Sequence, residues 1–205
     1  MPDVTPTVFV VDDDDSVREA LEGLIREAGL RPQMFATARE FLSHTHVTCP
    51  SCLVLDVALP DLNGLDVQQR IVAEHAHIPI IFITGYGDVP MTVRAMKAGA
   101  VEVLTKPFAD ETLLNAIRAA LERSAGAIDQ AAEIQALQER YASLSGRERE
   151  VMALVVTGLM NKQVAGELGI SEITVKAHRG KMMRKMRANS LADLVNIAAK
   201  LGISH

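Results

Sequence analysis

Asp12, Asp13, Asp56, Thr84 and Lys106 each stand at or just past the end of a short apolar run: TVFVV before Asp12, CLVL before Asp56, IIFI before Thr84 and VLT before Lys106. Three carboxylates gathered in one place repel one another unless a cation sits among them. A hard, oxygen-seeking divalent ion such as Mg²⁺ is the natural occupant. With that charge in place, one carboxylate can act as a nucleophile toward a phosphoryl group. A lysine ammonium and a threonine hydroxyl can then hold the transferred oxygens. One acid at a strand end is often only a helix cap. The full set in this order is specific.

The element that would bring such distant residues together is a parallel sheet. Apolar runs at 7–11, 33–35, 52–55, 80–83 and 102–105 alternate with helical periods at 16–28, 37–43, 65–75 and 89–98, with one more after Asp110. Five strand–helix units imply a sheet covered on both faces, and VFVV and PIIFI are apolar enough for burial on both sides. The expected fold is α/β, a flavodoxin-like (βα)5 domain. Its strand order 2-1-3-4-5 is that of the topology class and is not read from the residues. In such sheets ligands bind beyond the carboxyl ends of the strands, which is where the five residues lie.

From Glu111 the helical period continues well past the sheet through Leu114, Ile117, Leu121, Ile128, Ala131, Ile134 (or Leu137) and Tyr141. Gly126 interrupts it at a cost of only about 1 kcal/mol relative to Ala, so 111–141 reads as one long helix with a weak point near 124–127. Ser145-Gly-Arg-Glu148 is a capping box opening a helix over 146–157. Asn161 reads as the cap of a helix ending at Leu168, Gly169 as a tight turn, and Ser171 as the start of a third helix to about Met186. Ser190-Leu-Ala-Asp193 reads as a further capping box, opening a helix to Leu201. The resulting division is 1–124 for the sheet domain, 125–141 for a helical linker and 142–205 for an all-α four-helix unit.

Charge separates the two ends. Residues 1–140 hold 11 Lys+Arg against 21 Asp+Glu, whereas 141–205 hold 10 against 5. The basic part is the candidate for phosphate backbones. With 48% hydrophobic and 23% charged residues the composition is that of a globular protein. No apolar run is long enough to span a membrane, and the N-terminus lacks the basic region of a signal peptide, so a cytoplasmic location is expected.

The segments VVDDDDSVR, LVLDVALPDLNG, FITGYGDVPMTVRAMKAGA and LTKPF resemble the receiver motifs of two-component response regulators. LSGREREVMALVVTGLMNKQVAGELGISEITVKAHRGKMMRKM resembles a LuxR-type helix-turn-helix. Together they are similar to the FixJ/NarL class, nearest its FixJ branch, over almost the whole chain. The resemblance implies Asp56 as phosphoacceptor, Asp13 as a direct Mg²⁺ ligand, Asp12 as a ligand through water, and the Ala58 carbonyl as the last protein ligand. Thr84 and Lys106 become the switch hydroxyl and the phosphate-binding lysine, with a cis Lys106–Pro107 bond. It implies a phosphoacceptor regulator and not an enzyme, with a sensor histidine kinase, promoter DNA and RNA polymerase as partners. Receivers often carry an aromatic residue three positions before the lysine. Here Val103 stands there, which leaves signal transfer to Thr84 and the 85–96 segment.

The third helix of the C-terminal unit carries Lys176, His178, Arg179, Lys181, Arg184 and Lys185. A helix fits the major groove, where Lys and Arg address guanine and phosphates. Helical spacing puts Lys176, Arg179 and Gly180 outward, with Ala177 beside them, placed to touch a thymine methyl. Gly180 would either permit close approach to DNA or relieve crowding. By resemblance Lys176, Ala177 and Gly180 face bases and Lys162 and Lys181 face phosphates, with Thr174, His178 and Arg179 in the same surface. Phosphorylation is expected to form a homodimer through 89–98 and the fifth strand, with Val93, Met96 and Lys97 in contact. The operator would then be an imperfect palindrome.

Two other readings compete. A haloacid-dehalogenase-type phosphatase needs Asp-x-Asp-x-Thr/Val, but Asp12 and Asp14 are followed by Ser16, and Asp56 would go unused. The run HTHVTCPSC offers His44, His46, Cys49 and Cys52 as metal or redox ligands. Zinc sites usually join pairs from separated segments, so a surface turn leading to a buried Cys52 is the simpler reading.

Overall fold

The computed structural model describes residues 5–44, 49–74, 78–85 and 89–203. The chain divides into two units, Met1–Asp129 and Gln130–His205. In the first, five parallel strands run in the order β2-β1-β3-β4-β5, as expected for the class. They are β1 (Thr7–Val11), β2 (Arg31–Phe35), β3 (Ser51–Asp56), β4 (Ile80–Thr84) and β5 (Glu102–Thr105). The helices between them are α1 (Asp15–Glu27), α2 (Ala38–His44), α3 (Gly64–Glu74) and α4 (Val89–Lys97). β1, β3 and β4 are buried along their whole length because alternate residues enter different cores. Phe9, Leu53, Leu55 and Phe82 pack on one face with Phe41 and Ile71. Val8, Val10, Val54, Ile81 and Ile83 pack on the other with Ile25, Leu113 and Ile117.

β2 starts at Arg31, two residues earlier than the apolar run suggests, and so contains Pro32. Proline is tolerated there because β2 is the edge strand, paired only with β1. Asp14 caps α1, its carboxylate accepting from Ser16 N–H at 2.8 Å and Val17 N–H at 3.4 Å. α5 (Asp110–Ala142) passes Gly126 without a break, so the weak point expected near 124–127 is not a boundary of the helix. Leu113, not Leu114, begins its buried stripe, followed by Ile117, Ala120, Leu121 and Ser124. The Ser124 hydroxyl accepts from Ser51 N–H at 3.1 Å, which fastens α5 to the start of β3.

The second unit contains α6 (Gly146–Val156), α7 (Asn161–Leu168), α8 (Glu172–Met186) and α9 (Leu191–Lys200) around Val151, Met152, Val164, Val175, Met182 and Leu194. The Ser145/Glu148 capping box is complete. Asn161 is not a cap. It is the first residue of α7, and the preceding turn is closed by Gln163 Oε1, which accepts from Met160 N–H at 2.8 Å. At α9 the Ser190 hydroxyl accepts from Asp193 N–H, but the Asp193 carboxylate reaches to Asn189 N–H instead of closing a box on Ser190. Gly169 turns between α7 and α8 at φ 63°, a left-handed conformation that favours glycine.

Candidate functional site

The ends of β1, β3, β4 and β5 build an acidic pocket. Asp12 is fully buried, Asp56 and Thr84 nearly so, and Asp13 is exposed. One oxygen from each of Asp12, Asp13 and Asp56 lies within 4.8 Å of the others. Lys106 Nζ donates to Asp12 Oδ2 at 2.7 Å and to Asp56 Oδ2 at 2.8 Å. The backbone ladder sets this convergence: Lys106 N–H donates to the Thr84 carbonyl at 2.8 Å, and Val57 N–H to the Ile83 carbonyl at 3.1 Å. Asp56 Oδ1 accepts from Ala58 N–H at 2.9 Å, and Asp12 Oδ1 from Asp14 N–H at 2.9 Å. The Lys106–Pro107 peptide is cis.

Burial raises the Asp12 carboxyl above its ordinary value, against the opposing pull of the Lys106 and Asp14 hydrogen bonds. Burial also disfavours the Lys106 ammonium, but its bonds to Asp12 and Asp56 outweigh that and leave it raised. Lys106 therefore stays cationic at neutral pH. An all-oxygen donor set of this kind suits a hard divalent cation such as Mg²⁺.

Two residues that brace this pocket, and a third in the loop after Asp56 that caps α2, have no obvious mark in the sequence. Gly64 opens α3 so close to the pocket that an added Cβ would stand 3.0 Å from the Asp56 carbonyl oxygen and from Val57 Cα. A glycine before a helical run is a visible turn signal, but the contact is not. Arg18 Nη1 donates to the Asp12 carbonyl, and Arg18 pairs with Asp15. Asp61, in the loop after Asp56, accepts from Ala38 N–H at 3.3 Å and Arg39 N–H at 3.1 Å, capping α2 from across the chain. Val103, at the position where an aromatic residue is usual, is half-buried against the core that holds Phe82 and Met91.

α4 carries an exposed apolar face. Val89 is 77% exposed, and Val93 and Met96 are each 43% exposed, with Lys97 also at the surface. Beside Lys106 an open cleft of about 320 Å³ is lined by Val17, Leu21, Leu24, Pro107 and Phe108. Cys52 is buried in the sheet core, where burial pushes its thiol pKa up, and it is free, as is buried Cys49. His46 and the side chain of His44 lie outside the described residues, as do 86–88 of the 85–96 segment.

In the second unit α8 turns Val175, Met182 and Met186 into the core and leaves Lys176, Ala177, Gly180, Lys181 and Arg184 exposed. An added Cβ on Gly180 meets nothing within 4 Å, so crowding inside the unit does not explain this glycine. Lys162 is exposed on α7, and Lys176 lies 3.6 Å from Glu172. Three polar residues of α8 are engaged within the unit. The Thr174 hydroxyl pairs with Ser171 Oγ at 2.8 Å, and half-buried Arg179 donates from Nη1 to Asn161 Oδ1 at 3.0 Å. Lys185 Nζ donates to Glu148 Oε2 at 2.6 Å and to the Ser143 carbonyl at 3.0 Å. His178 is half-buried.

Comparison with known proteins assigns each unit to a family. The response regulator receiver domain matches residues 8–118, and the luxR family of bacterial regulatory proteins matches residues 142–198. The chain is 55% identical to Nodulation protein W of Bradyrhizobium diazoefficiens over 197 residues, which cover 96% of this chain and 87% of that one. It is 42% identical to the transcriptional regulatory protein FixJ of Azorhizobium caulinodans over 204 residues, 100% of this chain and 96% of that one. The solved structure of response regulator StyR matches with a TM-score of 0.84 and 49% identity, covering 96% of this chain and 100% of that one. The chain belongs to the two-component response regulators that join a receiver domain to a LuxR-type helix-turn-helix. Its class is that of DNA-binding transcription regulators.

Proposed function

We propose that Asp56 accepts a phosphoryl group from a sensor histidine kinase and that the modified receiver dimerises and directs α8 to promoter DNA. The observation that carries the reading is the meeting of Asp12, Asp13 and Asp56 with the Lys106 ammonium, which bonds two of the three carboxylates. An oxygen of Asp56 attacks phosphorus while the bond to the donor breaks. Lys106 and the Thr84 hydroxyl receive oxygens of the group after transfer. Asp12, Asp13, Asp56 and the Ala58 carbonyl would hold Mg²⁺, which when bound neutralises charge on the group in flight. The protein is then a phosphoacceptor and not a turnover enzyme, taking phosphoryl from small donors at most once and losing it slowly.

The apolar cleft supports docking of the kinase there, because Lys106 both lines it and bonds Asp56. The exposed face of Val93, Met96 and Lys97 supports dimerisation through α4 and β5. Lys176, Ala177 and Gly180 would face bases, with Lys162 and Lys181 on phosphates. Thr174, His178 and Arg179 would complete the DNA-binding surface. The assigned division is 1–124 for the receiver, 125–141 for the linker and 142–205 for DNA binding, with the regulator acting on RNA polymerase in the cytoplasm. No helix among the described residues is long and apolar enough to cross a membrane.

Acetyl phosphate with Mg²⁺ should label the wild type, and Asp56→Asn should abolish the label. Val93→Asp should keep the label but stay monomeric on sedimentation. Label on Asp56→Asn would overturn the phosphoacceptor assignment, and a labelled Val93→Asp dimer would overturn the α4 face.

A further inference from the structure

Ile173 is 80% exposed, the most exposed large hydrophobic side chain among the described residues. It is the second residue of α8, between exposed Glu172 and half-buried Thr174. Neither packing nor propensity accounts for it: its side chain is outside the core of the unit, and a β-branched residue is a poorer helix former than most. Its place on the helix is more telling. Ile173, Ala177, Gly180 and Arg184 follow one another at steps of four, three and four, which is a single stripe. That stripe lies opposite the buried Val175, Met182 and Met186. Exposed Lys176 and Lys181 flank it.

An apolar side chain in the middle of a cationic surface that meets a polyanion gains most by covering something apolar. In the major groove the base edges present donors, acceptors and one apolar group, the C5-methyl of thymine. The N-terminal residues of a reading helix are those that contact base edges. Gly180, about two turns further along the stripe, has open space around it and so leaves room for the duplex to approach.

We propose that Ile173 is a specificity-determining residue that reads a thymine methyl group in the major groove. The inference rests on α8 being the reading helix, and its test separates the two. The full-length protein, phosphorylated with acetyl phosphate, is first used to select its preferred duplex from a randomised library. Each thymine of that duplex is then replaced in turn by uracil, which pairs identically and lacks only the methyl group.

One replacement in each half-site should weaken wild-type binding about fourfold, roughly what one buried methyl group is worth. Ile173→Ala should bind the thymine and uracil duplexes equally at that position. It should also keep the salt dependence of the wild type, because no phosphate contact is lost. Circular dichroism should show an unchanged fold, as expected for an exposed side chain. The proposal is overturned if uracil has no effect on the wild type at any position, or if Ile173→Ala remains as sensitive as the wild type at every one. If no sequence is enriched, the reading helix itself has been misassigned, and Ile173 with it.

Discussion

The pocket of the receiver draws its residues from four strand ends, and backbone register brings them together: Thr84 pairs with Thr105 and Asp56 with Ile83 across neighbouring strands. The surface of α8 is made the other way. One continuous helix supplies it, and spacing along that helix decides what faces out. In the pocket Lys106 bonds the buried Asp12 and Asp56, and of the carboxylates only Asp13 is exposed. On α8 the outward cations stay in solvent, while the charged and polar groups nearest the core are spent inside the unit. A chemical site needs fixed distances, so a sheet edge suits it. A groove-reading site needs a protruding convex surface, and a single helix suffices.

The largest expected effect tests how rigid the pocket is. Gly64→Ala places a Cβ against backbone atoms of Asp56 and Val57, which have no flexible side chain to yield. Overpacking of this kind costs about 1–3 kcal/mol. Thermal unfolding should fall accordingly, and labelling of Asp56 should slow as the end of β3 shifts. Unchanged stability and labelling would mean that the pocket is softer than its hydrogen bonds indicate.

Next in size is a contrast between two neighbouring lysines of α8. Lys185→Ala leaves the buried Glu148 without its ion pair and should destabilise the protein by about 1–2 kcal/mol, a partly exposed pair being worth less than a buried one. Lys181→Ala should leave the melting temperature unchanged and lower the salt slope of DNA binding by about one. The Glu148 pair also carries a pH signature. Lys185 first, then Ser145 N–H, hold the Glu148 carboxyl below its ordinary value. A depressed folded pKa gives stability that is present above the unfolded glutamate range and lost as pH falls through the folded value. Melts by circular dichroism should therefore drop on acidification, and less so in Glu148→Gln.

The smallest effect has two signs. Gly180→Ala should raise stability by about 0.5–1 kcal/mol, since alanine is the better helix former and nothing obstructs its Cβ. The same change should weaken specific DNA binding. A variant that is stabilised and binds equally well would remove Gly180 from the interface.

Which parts of this were legible in the sequence follows from the same contrast. The five pocket residues announced themselves because each ends an apolar run, and the strands Thr7–Val11 and Glu102–Thr105 were readable to the residue. β2 was read short, since Pro32 hides an edge strand. The 3.6-residue period of α8 marks Lys176 and Gly180 as outward correctly, but it also puts Arg179 outward, and that residue is half-buried with its guanidinium turned to Asn161. What period could not show is partnership across elements: Lys185 with Glu148, Arg179 with Asn161, and Asp61 with the start of α2. Those partners are 37, 18 and 23 residues apart, and no local pattern joins them. Asn161 resembles a cap in the sequence for the same reason, whereas in the fold its oxygen accepts from Arg179.

The Asp61 cap has a practical consequence. α2 is only seven residues long, too short to persist by itself, and two of its first amides are held by a carboxylate from the loop that follows Asp56. The amides of Ala38 and Arg39 are therefore natural reporters of that loop. If phosphorylation displaces it, their hydrogen–deuterium exchange should quicken and their NMR resonances should move before any change at α4. If it stays in place, both signals should hold still. The protein thus carries, at a helix end remote in sequence from its phosphoacceptor, a spectroscopic gauge that needs no label.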